Sequence, residues 1–357
     1  MSASPSSPAA KRARIQKTIV THSGSFHADE ALAVHMLRLL PEYRDANVVR
    51  SRDPAVWAEA SILVDVGAKY DPSVHQYDHH QREFTDTFDA AHTVTRLSSA
   101  GLVYKHFGLR ALSSLLLGDG GDQDETKAAK VGAVYARLYD DLIEAFDAID
   151  NGVSRYPRTA TAAYKDATSL SSVVAKLNPY DGEPNATADG QFARAVAVVG
   201  SHFDRSALHL YHAWLPARAI VRDALAARVT RGHLIVMESF APWKDHLVDL
   251  EVEAGLGALA ATVTAPLAEK QELPSELPLY VVFPDPSGSW RIQAVPVHPD
   301  SFECRKPLPA AWRGVRDTAL DALTGAPGGV FIHAAGFIGG HQTREGAIKL
   351  AEMAVDM

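Results

Sequence analysis

The stretch VDVGAKYDPSVHQYDHHQREF, residues 64–84, concentrates side chains that can hold a metal ion: Asp65, His75, Asp78, His79 and His80. An apolar run at 62–64 leads into Asp65, and a short alternating run at 74–77 leads into Asp78-His79-His80. Both runs predict strands. Strand ends carrying carboxylates and imidazoles can meet at one edge of a sheet, which is where an open α/β sheet binds its ligands. The stretch therefore reads as half of a metal centre.

HSGSFHADEA supplies the other half, with His22, His27 and Asp29 between the first predicted strand and the helix after it. Alternation in an extended segment aims His27 and Asp29 to one side. Each residue also has an ordinary role: Asp29 and Glu30 favour a helix N-terminus, and histidines are common on surfaces. The coincidence with Asp65 and Asp78-His79-His80 favours the metal reading. A further element is AFDAIDNG, where Asp147 and Asp150 stand three apart and share a helix face. Either can reach an ion. Asp150 is the stronger candidate, because at the C-terminal end it opposes the helix dipole and a nearby cation offsets that cost.

Mixed oxygen and nitrogen ligands suit Mn²⁺, Mg²⁺ or Zn²⁺ and do not select among them. A carboxylate shared between strands can bridge two ions about 3.5–4 Å apart, the arrangement that hydrolyses phosphoesters without a protein nucleophile. Asp65 is the expected bridge. The single cysteine, Cys304, argues against thiol chemistry, a cysteine zinc site and an internal disulfide framework.

These residues need a scaffold. Residues 18–20, 47–50 and 61–66 read as strands, and 28–40 has helical spacing with Ala31, Leu32, His35 and Leu39 on one stripe. That alternation implies a parallel sheet with right-handed crossovers. Helices follow at 98–117, 127–149, 168–177 and 191–229, the last broken near Pro216, with an acidic, glycine-rich loop at 118–124. Beyond residue 230, strands are expected at 233–237, 279–283, 290–295 and 329–333, and helices at 242–252, 315–323 and 343–353. Residues 266–278 read as an exposed loop. The fold class is α/β in two domains: a basic tail at 1–17, a metal-binding catalytic domain at 18–186, a helical connector at 187–229 and a substrate-binding domain at 230–357, with a cleft between the domains.

The net charge of −8 argues against a protein that coats long duplexes through a broad positive field. It leaves room for a cleft that takes one strand end, where a bound cation adds charge. No apolar run approaches a membrane span. The first ten residues are rich in Ser, Pro and Ala and read as disordered. Lys11-Arg12-Ala13-Arg14 follows, and no acid precedes Asp29. The segment is a solvated tail, a nuclear signal or a mitochondrial presequence.

The ordered set of motifs is specific. HxDE, VDVG, DHH and DNG resemble the successive motifs of the DHH phosphoesterase superfamily. THSGSFHADEALA, LLPEYRDA, VDVGAKYDP, YDHHQREF, LSSAGLVYKHFG, AIDNG, AWLPARAI, PWKDHL, WRIQAVP, PLPAAWRG and HAAGFIGGHQTREGA resemble the melanocyte proliferating gene (Myg) exonucleases. The resemblance spans nearly all of 18–353. It implies a two-domain DHH-type fold and a two-metal 3′–5′ exonuclease acting on single-stranded RNA, dependent on Mn²⁺ or Mg²⁺, in the nucleus and mitochondrion. His22, His27, Asp29, Asp65, His79 and Asp150 then fall on metal-site motifs, His80 faces the scissile phosphate, and Asp78 orients a histidine. His27 stands where the superfamily commonly has Asp, and an imidazole shifts preference away from Mg²⁺. No membrane and no obligate protein partner is expected.

GFIGGHQTREGA is the candidate substrate site of the second domain. Gly336, Gly339 and Gly340 would let backbone N–H groups approach an anion, Thr343 would cap the next helix, and His341 and Arg344 would add donors. A plain strand–turn–helix connection is the competing reading. Lys244 and Arg313 are further candidate contacts. Trp243, Trp290 and Trp312 can stack bases, but at least two suit the core better. His209 and His212 share a helix face without a third ligand and read as structural. The rival enzyme reading is a hydrolase of a small phosphorylated molecule, pyrophosphate or a short oligonucleotide. A metal-stabilised, non-catalytic RNA-binding protein is the third.

Overall fold

The computed structural model describes residues 16–119, 124–157, 159–161, 163–184, 186–268, 271, 274, 276–298 and 301–357. The readings of residues 1–15 and of the loop at 120–123 lie outside them. The chain forms two compact units, Met1–Tyr211 and His212–Met357.

The first unit opens with β1 (Thr18–Thr21), α1 (Ala28–Arg38), β2 (Asn47–Arg50), α2 (Pro54–Ala58), β3 (Ile62–Val64), β4 (Tyr70–Asp71) and β5 (Gln76–Tyr77). The sheet order is β2-β1-β3-β5-β4. The first four strands in that order are mutually parallel, and β4 is antiparallel to β5. The carboxyl ends of β1, β3 and β5 thus share one edge, and they carry His22, Asp65 and Asp78-His79-His80.

The expected strand at 74–77 is shorter than its alternation suggests. Pro72–Val74 form a 3₁₀ turn, because Pro72 fixes φ and the Asp71 carboxylate accepts from Ser73 N. His75 then takes a left-handed φ of 56°, and its ring packs against Tyr77 and Phe107. His75 joins none of the potential metal-binding groups among the described residues.

The rest of the unit is helical: α3 (Ser99–Leu117), α4 (Glu125–Leu138), α5 (Glu144–Asp150), α6 (Leu170–Ala175) and α7 (Ala188–His209). The helix expected at 127–149 carries a π turn, Tyr139–Ile143, between α4 and α5. α1 is buried nearly all round between α3 and α7, so its apolar stripe understates its burial. Gly200 of α7 permits that packing, since a Cβ there would stand 2.2 Å from His35 Nδ1.

The second unit contains α8 (Leu215–Ala226), β6 (Leu234–Val236), α9 (Lys244–Glu253), α10 (Gly257–Ala260), β7 (Tyr280–Pro284), β8 (Trp290–Ala294), α11 (Asp317–Thr324), β9 (Gly329–Ile332), β10 (Ile338–His341) and α12 (Arg344–Asp356). Pro216 sits in the first turn of α8, where its missing N–H costs nothing, just after a π turn at Leu210–Trp214. The boundary between units therefore falls inside the stretch read as a connector. The sheet order is β6-β7-β8-β10-β9, with β6 and β7 parallel and the other pairs antiparallel.

β10 is a second departure from expectation. Gly339, Gly340 and His341 were expected in an anion-binding turn, but they form a strand paired on both sides, so its amides are committed to sheet ladders. The glycines serve close packing: a Cβ on Gly339 would meet Ile332 Cδ1 at 2.4 Å, and one on Gly340 would meet Arg291 Nη1 at 2.5 Å. Thr343 does cap α12, accepting from Gly346 N. Among the described residues, no helix is long and apolar enough to cross a membrane.

Candidate metal centre

His22 leaves β1 with Nε2 3.1 Å from Glu30 Oε1 and 3.3 Å from Asp65 Oδ2. Its Nδ1 lies 3.3 Å from the carbonyl of Ser23. Glu30 belongs to the first turn of α1, and Oε1 also accepts from the backbone N–H of His27, the helix N-cap, at 2.8 Å. Asp29, on the same turn, accepts from Ser99 Oγ at 2.6 Å, which ties α1 to α3.

Asp65 follows β3 in a left-handed conformation, φ 56°, held by its N–H donating to Tyr77 O at 3.0 Å. His79 follows β5 with Nε2 3.5 Å from Asp65 Oδ1 and 3.2 Å from Asp150 Oδ2, at the end of α5. Asp78 turns away from this cluster. Its Oδ1 accepts from His80 N at 3.0 Å and from His80 Nδ1 at 2.7 Å, and its Oδ2 accepts from Ala68 N at 2.6 Å. His80 is thus aimed by Asp78 while its ring stays largely exposed.

Asp147 and Asp150 separate cleanly. Asp147 is fully buried and accepts from Ser98 N, Ser98 Oγ, Gly101 N and Tyr139 OH. Asp150, one turn on, is the one beside His79. Three groups of potential ligand atoms result, each within 4.8 Å of one another: His22, His27, Glu30 and Asp65; Asp65, His79 and His80; His27, Asp29 and Asp150. Asp65 is shared by the first two and His27 by the first and third. Glu30 is the member that the sequence reading took only for a helix-dipole residue. Its signal was the spacing from His27, which places it at N3.

Divalent ions fit this donor set. Asp29 Oδ1, Glu30 Oε2, Asp65 Oδ1 and His79 Nε2 are buried without a hydrogen-bond partner. Among the described residues, Asp29, Glu30, Asp65 and Asp150 pair with no lysine or arginine. So many buried carboxylates without a compensating cation are costly. Burial, then the charges of Asp65, Asp150 and Glu30, push the Asp29 carboxyl well above the carboxylate range. Burial alone would lower the two imidazoles. The facing carboxylates of Asp65 and Glu30 instead hold His22 at about 10, and those of Asp150 and Asp65 hold His79 at about 10. Burial alone would raise Asp65, but the same two histidines hold it below its usual value.

A cavity of about 560 Å³ opens on this cluster, lined by His27, Asp29, His79, His80 and Asp150 with Gln81, Arg96, Asn151 and the apolar Phe26, Phe146 and Ile149. Sequence reasoning did not single out Arg96, Gln81 or Asn151, which come from a loop and a helix end without periodic pattern.

The second unit holds the remaining candidates. His341 is buried, accepts from Thr343 N through Nδ1, and leaves Nε2 without a partner. Arg344 pairs with Glu238 at 2.7 Å and lies over the Trp290 ring. Lys244 is exposed beside a cavity of about 260 Å³ with Phe240, Trp243 and Gln293. Arg313 Nε donates to Leu308 O at 2.8 Å. Trp243 and Trp312 are core residues, as expected, and Trp290 is half-buried. His209 and His212 join no metal-binding group among the described residues.

Residues 18–355 match the model of a family described as "Uncharacterised protein family (UPF0160)", MYG1 exonuclease. The chain is 45% identical over 341 residues to the MYG1 exonuclease of Homo sapiens, covering 93% of this chain and 84% of that protein. It is 42% identical to a MYG1 protein of Schizosaccharomyces pombe, over 95% of this chain and 97% of the relative. A MYG1 protein of Saccharomyces cerevisiae is 41% identical over 96% of each.

Proposed function

The chain belongs to the MYG1 exonuclease family, and from that premise we propose that it is a metal-dependent phosphodiesterase that degrades single-stranded RNA from its 3′ end. The carrying observation is Asp65, shared between two groups of potential ligands at the carboxyl ends of the parallel strands β1, β3 and β5. The reading includes a DHH-type fold, with His22, His27, Asp29, Asp65, His79 and Asp150 as metal ligands. Glu30 joins them on its distance from His22. Two divalent ions, Mn²⁺ or Mg²⁺, would supply charge for the phosphoryl oxygens and activate water there.

The chain's own residues do the rest. Asp78 accepts from Nδ1 of His80 and raises its pKa, so the imidazolium presents an Nε2–H that donates to a phosphate oxygen. Phe26, Phe146 and Ile149 give the main cavity an apolar wall for a nucleotide unit, and Arg96 gives it a cation. In the second unit, Arg344, Lys244 and the unpartnered Nε2 of His341 are the proposed substrate contacts. The basic, acid-free segment before Asp29 supports a nuclear or mitochondrial address.

The test is purified protein with Mn²⁺ and end-labelled single-stranded RNA. Stepwise loss of single nucleotides from the 3′ end is the expected result. Intact RNA alongside hydrolysed pyrophosphate or dinucleotides would replace this reading with that of a small-phosphoester hydrolase.

A further inference from the structure

A second cavity, about 550 Å³, lies in the first unit and shares His27 and His80 with the main one. Its other walls are His22, Asp65, Asp78, the turn Val66-Gly67-Ala68, and two residues without an assigned role, Arg52 and Trp57. Their position follows from the topology. β2 neighbours β1 in parallel, so the loop after β2 emerges at the same carboxyl edge as His22 and Asp65.

Arg52 is unusual for a cation at so acidic a site. Among the described residues it pairs with no carboxylate. Its Nε donates to Ser23 O at 3.0 Å, and its Nη2 lies 3.2 Å from His22 Nδ1. The bond to Ser23 O holds one edge of the guanidinium without neutralising it, which leaves its remaining N–H groups open to an anion. Trp57 is fixed as firmly. Its Nε1 donates to Ser51 O at 3.0 Å, and it packs on the cluster of Val20, Leu63 and Val66. It remains half-buried and lines the cavity, so aromatic surface is open to a flat partner.

An anion fork beside a fixed indole, against the reacting centre, suits one nucleotide. We propose that Arg52 and Trp57 form a mononucleotide subsite, Arg52 taking the phosphate and Trp57 the base. The proposal rests on the phosphodiesterase reading and deepens it: the main cavity holds one side of the scissile phosphate and this cavity the other. A fixed guanidinium contributes charge-assisted hydrogen bonds. Base stacking on an aromatic side chain tolerates all four bases.

The experiment is titration of the full chain with adenosine 5′-monophosphate in Mg²⁺ buffer, reading calorimetric affinity and tryptophan fluorescence. Expected are binding with quenching in the wild type, an affinity loss of about 10- to 100-fold in Arg52→Met, and loss of the quenching in Trp57→Phe. Arg52→Lys, which keeps charge but not the fork, should fall between wild type and Arg52→Met. It also guards against a misfolded Met variant, as does circular dichroism. Unchanged affinity in folded Arg52→Met, persistent quenching in Trp57→Phe, or no binding by wild type at millimolar nucleotide overturns the subsite. RNA shortening is scored separately, so inert RNA with Arg52-dependent nucleotide binding would sink the exoribonuclease reading and leave the subsite standing.

Discussion

Asp65 meets three constraints at once. It ends a buried strand, holds a left-handed φ of 56°, and stands between two imidazoles at 3.3 and 3.5 Å. A non-glycine residue in that region costs of order 1–3 kcal/mol and persists where surroundings enforce it, commonly at functional sites. Asp65→Asn is expected to lower hydrolysis by at least about 100-fold, on the scale of removing a key charge-stabilising group. Circular dichroism should show the fold retained. Full activity in the folded variant would falsify the metal-centre assignment. The carboxylates around His22 and His79 raise the affinity of both imidazoles for protons, and only the deprotonated ring can ligate an ion. The sign follows: protons compete with metal, so Mn²⁺ affinity should rise from pH 6 to pH 8. Calorimetry in buffers of different ionisation enthalpy should register proton release, and a pH-independent affinity would contradict the arrangement. Asp78→Asn should cost about 10- to 100-fold in activity, the usual cost of disturbing a partner that orients a site histidine. His75 and His79 differ by four positions, yet only one reaches the site, because the Pro72 turn diverts the other.

At the scale of elements, α5 decides which of two acids serves the site. Asp147 fastens α5 to the start of α3 through Ser98 and Gly101, leaving Asp150 to project toward His79. Gly101 is required: a Cβ there would stand 2.3 Å from Asp147 Oδ2. Gly101→Ala should destabilise the protein by about 1–3 kcal/mol through overpacking, read as a lower urea midpoint. Burial pushes the Asp147 carboxyl up to about 7, against the pull of its Ser98, Tyr139 and Gly101 hydrogen bonds. The folded state therefore holds this proton more tightly than the unfolded chain, whose carboxyl titrates near 3.9. Its contribution to stability is full below that value and fades as pH rises through about 7. Asp147→Asn should flatten that part of the stability–pH curve, and an unchanged slope would assign it to other groups. The helix spacing showed that Asp147 and Asp150 share a face. It did not show that a neighbouring helix would claim the first.

For the whole molecule, two cores matter. The second unit has its own apolar clusters around β7 and β8, and a buried pair in which Arg305 grips both oxygens of Glu251 at 2.7 and 2.8 Å. Removing one partner of such a pair leaves an uncompensated charge, so Glu251→Ala should cost about 3–5 kcal/mol. Mn²⁺ binding measured below the new melting point should be retained, since the ligand groups all belong to the first unit. Lost binding in the still-folded variant would tie the two properties together. Sequence alone determined the alternation of strands and helices, hence an α/β class, because hydrophobic period is a local property. It also singled out His22, His27, Asp29, Asp65, Asp78, His79, His80 and Asp150, because carboxylates and imidazoles at predicted strand and helix ends are readable one element at a time. Only the tertiary structure decided that Glu30 faces His22, that Asp147 belongs to packing, that Gly339 and Gly340 lie inside a sheet, and that Arg52 and Trp57 share the edge with Asp65. Those outcomes depend on which strands lie side by side and how closely helices approach, and neither is written in the spacing of any single segment.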